Sequence, residues 1–179
     1  MRWGIGGVPR PGSRSAAKPL LYVDIDGVLN LTSPRDPRRF VERTVGAATV
    51  LISPEHGDWL RELSDHYQLV WATAWEHHAN ERMSPLLGLP DLPVVEISGY
   101  RRQDGDPRCR VIELLKMRKW APILRHADGR PFAWVDDVIP TRIRYQAWPY
   151  RGILLVPVDP RDGLTRRHVE RLLAWAQRR

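Results

Sequence analysis

Two aspartates separated by one residue stand at the end of an apolar run and are followed at once by a glycine. The run is Leu20–Ile25, the acids are Asp24 and Asp26, and the glycine is Gly27. On a strand, residues i and i+2 point to the same side, so the two carboxylates would lie together where the strand ends. Buried neighbouring carboxylates need a partner, and a divalent cation is the usual one. The pattern predicts a metal-assisted site; the simpler alternative is an Asp-Gly turn with surface acids.

Two later apolar runs also end in polar side chains. Leu69–Thr73 ends in a hydroxyl group, and the run from Phe132 ends in the paired acids Asp136 and Asp137. In open α/β sheets the ligand lies beyond the carboxyl ends of the strands. We therefore expect Asp26, Thr73 and Asp136 to meet at one edge of a sheet.

Short, nearly continuous apolar runs alternate with segments of helical periodicity. The strand candidates are Leu20–Ile25, Leu69–Thr73, Val94–Ile97, Phe132–Val135 and Ile153–Val156. The helix candidates are Glu55–His66, Trp75–Leu87, Trp120–His126 and a C-terminal stretch that Thr165 could cap. Continuous apolar strands are typical of a parallel sheet covered on both faces. The alternation predicts the α/β class, with a doubly wound, Rossmann-like parallel sheet.

An insert at about residues 31–53 separates the first two strand candidates. It opens with the basic loop Ser33–Arg39, and the alternation in Phe40–Ile52 around Gly46 predicts a β-hairpin. The insert is too short for a large cap domain, so we expect a small flap over the site. A second irregular stretch, Ser98–Arg110, contains four arginines, which either approach the site or only solvate a loop.

Composition narrows the class of protein. The 179 residues carry a formal net charge of +7 and a pI near 10.2, which favours anionic partners and nucleic acid above all. Residues 1–19 contain no acid and predict a flexible basic tail, followed by one catalytic domain over residues 20–179. The lone Cys109 excludes a disulfide framework and favours a reducing cytoplasm. No apolar run is long enough to span a membrane.

The order of these segments resembles the four motifs of the haloacid dehalogenase (HAD) superfamily of phosphohydrolases. Those motifs are a DxDx[TV] strand end, a strand ending in Thr or Ser, a lysine, and an acidic strand end. Here the first, second and fourth are Asp24-Ile25-Asp26-Gly27-Val28, Leu69-Val70-Trp71-Ala72-Thr73 and Phe132-Ala133-Trp134-Val135-Asp136-Asp137. The resemblance covers roughly residues 20–160 and implies a HAD-like fold and phosphatase chemistry.

The third motif leaves a choice between two lysines. The chain has three lysines against 25 arginines, and Lys18 precedes the first strand. Lys119 is favoured because it lies just before the Trp120–His126 helix candidate, at a helix start facing the strand ends. Lys116 remains the alternative.

The resemblance implies a role for each motif residue. Asp24 would attack phosphorus, and Asp26 would protonate the leaving oxygen and later activate water. Thr73 and following backbone N–H groups would bind phosphate oxygens, and Lys119 would balance charge and orient Asp24. The implied cofactor is Mg²⁺. Its implied ligands are Asp24, the backbone carbonyl of Asp26, and Asp136 or Asp137.

The implied reaction is Mg²⁺-dependent hydrolysis of phosphomonoesters. The whole-chain pattern is most similar to small HAD domains associated with RNA-repair proteins, so we expect nucleic-acid or nucleotide end phosphates as substrates. Trp75 could stack on a base or sugar, whereas the adjacent His77 and His78 fit a solvent-exposed helix start equally well. The alternative is an idle HAD-like domain that binds nucleic acid or a protein through its basic surface. Val138-Ile139-Pro140 after Asp137 supplies no further acid, which keeps this alternative open.

Overall fold

The computed structural model describes residues 17–46, 48–97, 119–147 and 152–178. Most of the predicted basic tail, the Arg-rich stretch Ser98–Arg110, Cys109 and Lys116 lie outside these residues. The expectations for those parts of the chain stay predictions.

Four parallel strands form the central sheet, which is parallel as predicted but has one strand fewer than the five candidates. Along the sheet the order is β4, β1, β5, β6, so β1 lies between β4 and β5. Val23, the last residue of β1, is in register with Trp71 and Val135 on its two neighbours. The strands are β1 Leu20–Val23, β2 Val41–Val45, β3 Ala48–Ile52, β4 Gln68–Trp71, β5 Phe132–Asp136 and β6 Ile153–Pro157.

Helices cover both faces of this sheet. They are α1 Glu55–Ser64, α2 His78–Leu87, α3 Trp120–Ala127, α4 Thr141–Ala147 and α5 Arg166–Ala176. Leu21 and Val23 pack in one apolar cluster with α1, α2 and α5, while Leu20 and Tyr22 pack in another with α3 and α4. This alternation along β1 explains why its sequence is continuously apolar, and it confirms the doubly wound, Rossmann-like arrangement.

The remaining two strands form the hairpin expected in the insert. β2 and β3 pair antiparallel from Val41–Ile52 to Val45–Ala48, and Gly46 in the connecting turn has a φ of +63°. An isolated bridge between Asn30 and Ile52 joins the hairpin to the loop that follows β1. The flap therefore begins directly from the loop that carries the two aspartates.

Two expectations about elements need correction, and one helix was missed. Val94–Ile97 is not a strand: only Val94 forms a bridge, to Trp71 at the sheet edge, and prolines at positions 90 and 93 precede it. The second helix begins at His78, not Trp75, because the chain first makes turns in which Glu76 takes a left-handed φ of +46°. Helix α4 was not predicted, because only Ile143 and Ala147 mark its apolar face.

Within the described residues, no helix has the length and apolarity needed to cross a bilayer.

Candidate active site

The sheet order brings the predicted residues to one edge. Asp24 follows β1, Thr73 lies two residues beyond β4, and Asp136 ends β5. Because β1 lies between β4 and β5, these three strand ends are neighbours. Backbone bonds from Asp24 N to Val135 O (3.1 Å) and from Ala72 N to Val23 O (2.9 Å) extend the sheet to this point.

Lys119 joins two of the carboxylates. It stands at the N-cap of α3, and its Nζ lies 2.5 Å from Asp24 Oδ2 and 2.7 Å from Asp136 Oδ2. Only 14% of the Lys119 side chain is exposed, so water screens these ion pairs weakly. Of the two candidate lysines, Lys119 is the one that the described residues place at the strand ends.

Asp136 and Asp24 are further fixed by N–H donors. Val138 N donates to Asp136 Oδ1 (2.8 Å), and the indole Nε1 of Trp134 donates to Asp136 Oδ2 (3.2 Å). Ile25 N donates to Asp24 Oδ1 at 2.8 Å. Both buried carboxylates are thereby held in place by hydrogen bonds at the carboxyl ends of the strands.

Three carboxylates form a group that could hold a cation. Asp24, Asp136 and Asp137 each offer an oxygen, and these oxygens lie within 4.8 Å of one another. Gly27 makes room for the third acid: with a φ of +75°, a Cβ at this position would lie 2.6 Å from Asp137 Cγ. Among the described residues, the carboxylate of Asp26 is not part of this group. If Asp26 contacts a cation, its backbone carbonyl oxygen would make that contact.

The electrostatics of the group fit a divalent cation. Burial raises the pKa of Asp24 to about 7, although the Lys119 ammonium opposes the shift. Burial likewise raises the pKa of Asp136, again against the effect of Lys119. Burial lowers the pKa of Lys119, but the charges of Asp24 and Asp136 outweigh it and raise that pKa overall. Asp24 and Asp136 share the one ammonium group of Lys119, so a hard cation with oxygen ligands would relieve the repulsion between them.

Asp26 lies on the exposed side of the site and is held by two side chains. Trp75 Nε1 donates to its Oδ2 at 2.8 Å, and Asn30 Nδ2 donates to its Oδ1 at 2.9 Å. Hydrogen bonds to both oxygens therefore orient the carboxylate, while its surface stays accessible.

A cavity of about 460 Å³ lies between the loops that follow the strands. It is lined by Asp24, Asp26, Gly27, Thr32, Ser33, Ala74, Lys119, Asp137, Pro160 and Arg161.

A family model described as the HAD domain in Swiss Army Knife RNA repair proteins matches residues 20–169. The chain belongs to this family of HAD domains. The match confirms the predicted resemblance to the HAD superfamily and its association with RNA repair. No curated protein matches the chain.

Thr73 follows β4, at the strand end where the sequence predicted it. Its side chain is fully buried, and its Oγ1 accepts a bond from Trp75 N at 3.4 Å. The neighbouring Ala74, rather than Thr73, lines the cavity. The part of Thr73 in phosphate binding stays a prediction.

Asn30 was missed by the sequence reasoning. Besides holding Asp26, its Oδ1 accepts from Leu51 N (2.9 Å), and its backbone carbonyl accepts from Gly27 N (2.8 Å). One amide side chain thus connects the acid to strand β3 of the flap. In the sequence, the feature that could have indicated Asn30 is a polar amide directly after the apolar pair Val28 and Leu29.

The histidines lie away from the acidic group. His77 and His78 are exposed, and they lie 3.6 Å from Glu96 and 2.9 Å from Glu81. His126 Nδ1 is 2.9 Å from the hydroxyl of Tyr22, and His56 is fully buried in the core. None of them belongs to the candidate cation group of the described residues.

Proposed function

We propose that this HAD domain hydrolyses phosphomonoesters with the help of Mg²⁺, through a phosphoryl group carried on Asp24. One observation supports the proposal above all. A buried aspartate is paired with Lys119 at 2.5 Å, beside two more carboxylates, and shares a cavity with the separately held Asp26. Family membership supports a hydrolase associated with RNA repair.

Asp24 would be the nucleophile. A bond forms between its carboxylate oxygen and phosphorus as the bond from phosphorus to the leaving oxygen breaks. Lys119 supports this step by keeping the carboxylate in one orientation and by offsetting the negative charge that the phosphate brings. The backbone N–H of Ile25 restrains the other oxygen of Asp24.

Asp26 would transfer the proton in each half of the reaction. It gives a proton to the leaving oxygen, then takes one from the water that attacks phospho-Asp24 and releases phosphate. The bonds from Trp75 and Asn30 orient its carboxyl group for both transfers. Its exposed position suits this role, since both the leaving group and the water must reach it.

Asp24, Asp136 and Asp137, with the carbonyl of Asp26, would hold the Mg²⁺. When bound, the ion would neutralise charge on the phosphate oxygens and on the three carboxylates. The fit rests on the oxygen-only ligand set and on the two buried carboxylates, Asp24 and Asp136, that share the single ammonium group of Lys119.

The substrate we propose is a phosphate at the end of a nucleic acid or on a nucleotide. The cavity, at about 460 Å³, falls in the range of sites that take molecules larger than a lone phosphate. The net charge of +7 and the family's link to RNA repair support an anionic polymer.

Phosphate release tests the proposal. With Mg²⁺, the protein should release phosphate from p-nitrophenyl phosphate and from an end-phosphorylated oligonucleotide, and EDTA should stop both reactions. Replacing Lys119 by Met should lower kcat by about 100-fold, because a preorganised charge in the site is lost. Lys116→Met removes the same charge and serves as the control; equal losses would show that the lysine is misassigned. Absence of hydrolysis, with retained oligonucleotide binding, would instead support the idle binding domain.

A further inference from the structure

Arg35 connects two loops beside the cavity, the loop after β1 and the loop after β6. Its Nη2 lies 3.0 Å from Asp159 and its Nε lies 2.8 Å from Asp162. Its backbone N–H also donates to the carbonyl of Arg161 at 2.7 Å. The loop after β1 and the loop after β6 therefore form one wall with a defined shape.

This arrangement leaves the guanidinium group of Arg161 available for an anion. Both acids of its own loop are engaged by Arg35, and Arg161 forms no ion pair within the described residues. Its side chain is exposed and lines the same cavity as Asp24 and Lys119. Thr32 and Ser33, on the loop after β1 in the same wall, line that cavity too and add hydroxyl groups.

We propose that Arg161, with Thr32 and Ser33, forms a subsite for the phosphodiester next to the terminal phosphate. The inference rests on the proposed function, since it assumes that the terminal phosphate lies at Asp24. Arginine binds phosphate through two parallel N–H donors, and hydroxyl groups commonly add phosphate contacts. The subsite would make an oligonucleotide end a better ligand than a mononucleotide, which has no second phosphate.

Binding measurements test the subsite without depending on turnover. In an Asp24→Asn background, affinities would be measured by calorimetry for 5′- and 3′-phosphorylated dinucleotides and for the matching mononucleotides. Adding Arg161→Gln should weaken binding of one of the dinucleotides by about 10-fold and that of its mononucleotide by much less. The salt dependence for that dinucleotide should also fall by about 0.7 in log–log slope, the value for one lost phosphate contact.

Arg178→Gln is the matched control. Arg178 lies just beyond the C-terminal end of α5, so this substitution removes the same charge at the end of the helix far from Arg161. At that end of α5, Trp175 stacks on Tyr67, which precedes β4. This variant should change both affinities equally and little. Equal effects of Arg161→Gln on dinucleotide and mononucleotide, no effect on either, or no dinucleotide binding in the parent protein would overturn the subsite. A protein that binds in the predicted pattern but releases no phosphate would instead contradict only the proposed reaction.

Discussion

Asp26 is exposed, yet both of its carboxylate oxygens accept hydrogen bonds from side chains. Trp75 lies 49 positions further along the chain than Asp26, and the partner Asn30 comes from the turn that follows it. A general acid must point at the leaving oxygen, and these two bonds restrict its rotation. Trp75 therefore acts in our proposal as a positioning residue for Asp26.

Replacing Trp75 by Phe tests that role, because it keeps an aromatic ring and removes the N–H donor. We expect kcat/KM, which covers the steps up to departure of the leaving group, to fall by roughly 10-fold for alkyl phosphates, whose leaving oxygen needs a proton, as part of the general-acid contribution is lost. For p-nitrophenyl phosphate, whose leaving group departs without a proton, the loss in kcat/KM should be much smaller. The measurement is kcat/KM across a series of phosphates with leaving groups of increasing pKa.

Trp175→Phe provides the control, since this indole stacks on Tyr67 away from the site. It should leave the dependence on leaving-group pKa as in the unsubstituted protein. A Trp75→Phe variant whose loss is the same for every leaving group would show that the indole only supports the loop.

The sequence predicted the site residues that follow strand ends better than those that support them. Asp24, Asp136 and Asp137 are found together, with Lys119 between the first two. They meet because neighbouring parallel strands bring the residues at their carboxyl ends close to one another. The bonds of Asn30 and Trp75 to Asp26 could not be predicted. They depend on side-chain rotamers and on the turn at Glu76, which have no periodic signal in the sequence.

At the scale of elements, burial decides what the sequence reveals. β1 and β5 are buried throughout, and their predicted ends lie within two residues of the observed ones. The hairpin was predicted from its alternation around Gly46. Val94–Ile97 looked like a strand by composition but forms a single bridge, since pairing at a sheet edge depends on tertiary contacts. Helix α4 has seven residues and too few apolar positions to show a helical period.

His56 illustrates how α1 is bound to its surroundings. It is fully buried, packs against the rings of Phe40 and Trp59, and its Nε2 lies 3.2 Å from the carbonyl of Leu164. A carbonyl can only accept, so Nε2 carries the proton of the neutral ring. Burial lowers the pKa of His56 to about 4 from its ordinary value of 6.5.

This shift predicts a pH-dependent stability. Above pH 6.5 the imidazole is neutral in both states and contributes no difference. Between pH 6.5 and about 4 the unfolded chain takes up the proton and the folded protein does not, so stability is lost as pH falls. The loss should approach about 3 kcal/mol near pH 4, from 1.36 kcal/mol per pKa unit. It is measured by urea unfolding from pH 7.5 to 4.

His56→Gln isolates this contribution, because the amide can donate to Leu164 but does not titrate. Carboxylates such as Asp24 change the stability of both proteins alike and cancel in the difference. We expect the free-energy difference between the unsubstituted protein and the variant to shift steadily in favour of the variant as the pH falls. A free-energy difference between the two proteins that stays constant across the pH range would refute the prediction.

The whole molecule combines a small sheet covered by helices with a cavity at the carboxyl ends of its strands. The short hairpin leaves the cavity accessible, while Arg35 fixes the wall that carries Arg161. In our proposal this cavity receives the end of a longer anion. The idle binding domain remains the competing account, and chemistry at Asp24 separates the two.

The most direct test is to trap the phosphoryl group on the enzyme. The protein would be mixed with Mg²⁺ and an end-phosphorylated oligonucleotide, quenched in acid within one turnover, digested and analysed by mass spectrometry. We predict one phosphoryl group on Asp24, and neither this modification nor phosphate release in Asp24→Asn, whose side chain has nearly the same size. Phosphate release by Asp24→Asn at the unsubstituted rate, or turnover with no phosphoryl group on Asp24, would contradict the account.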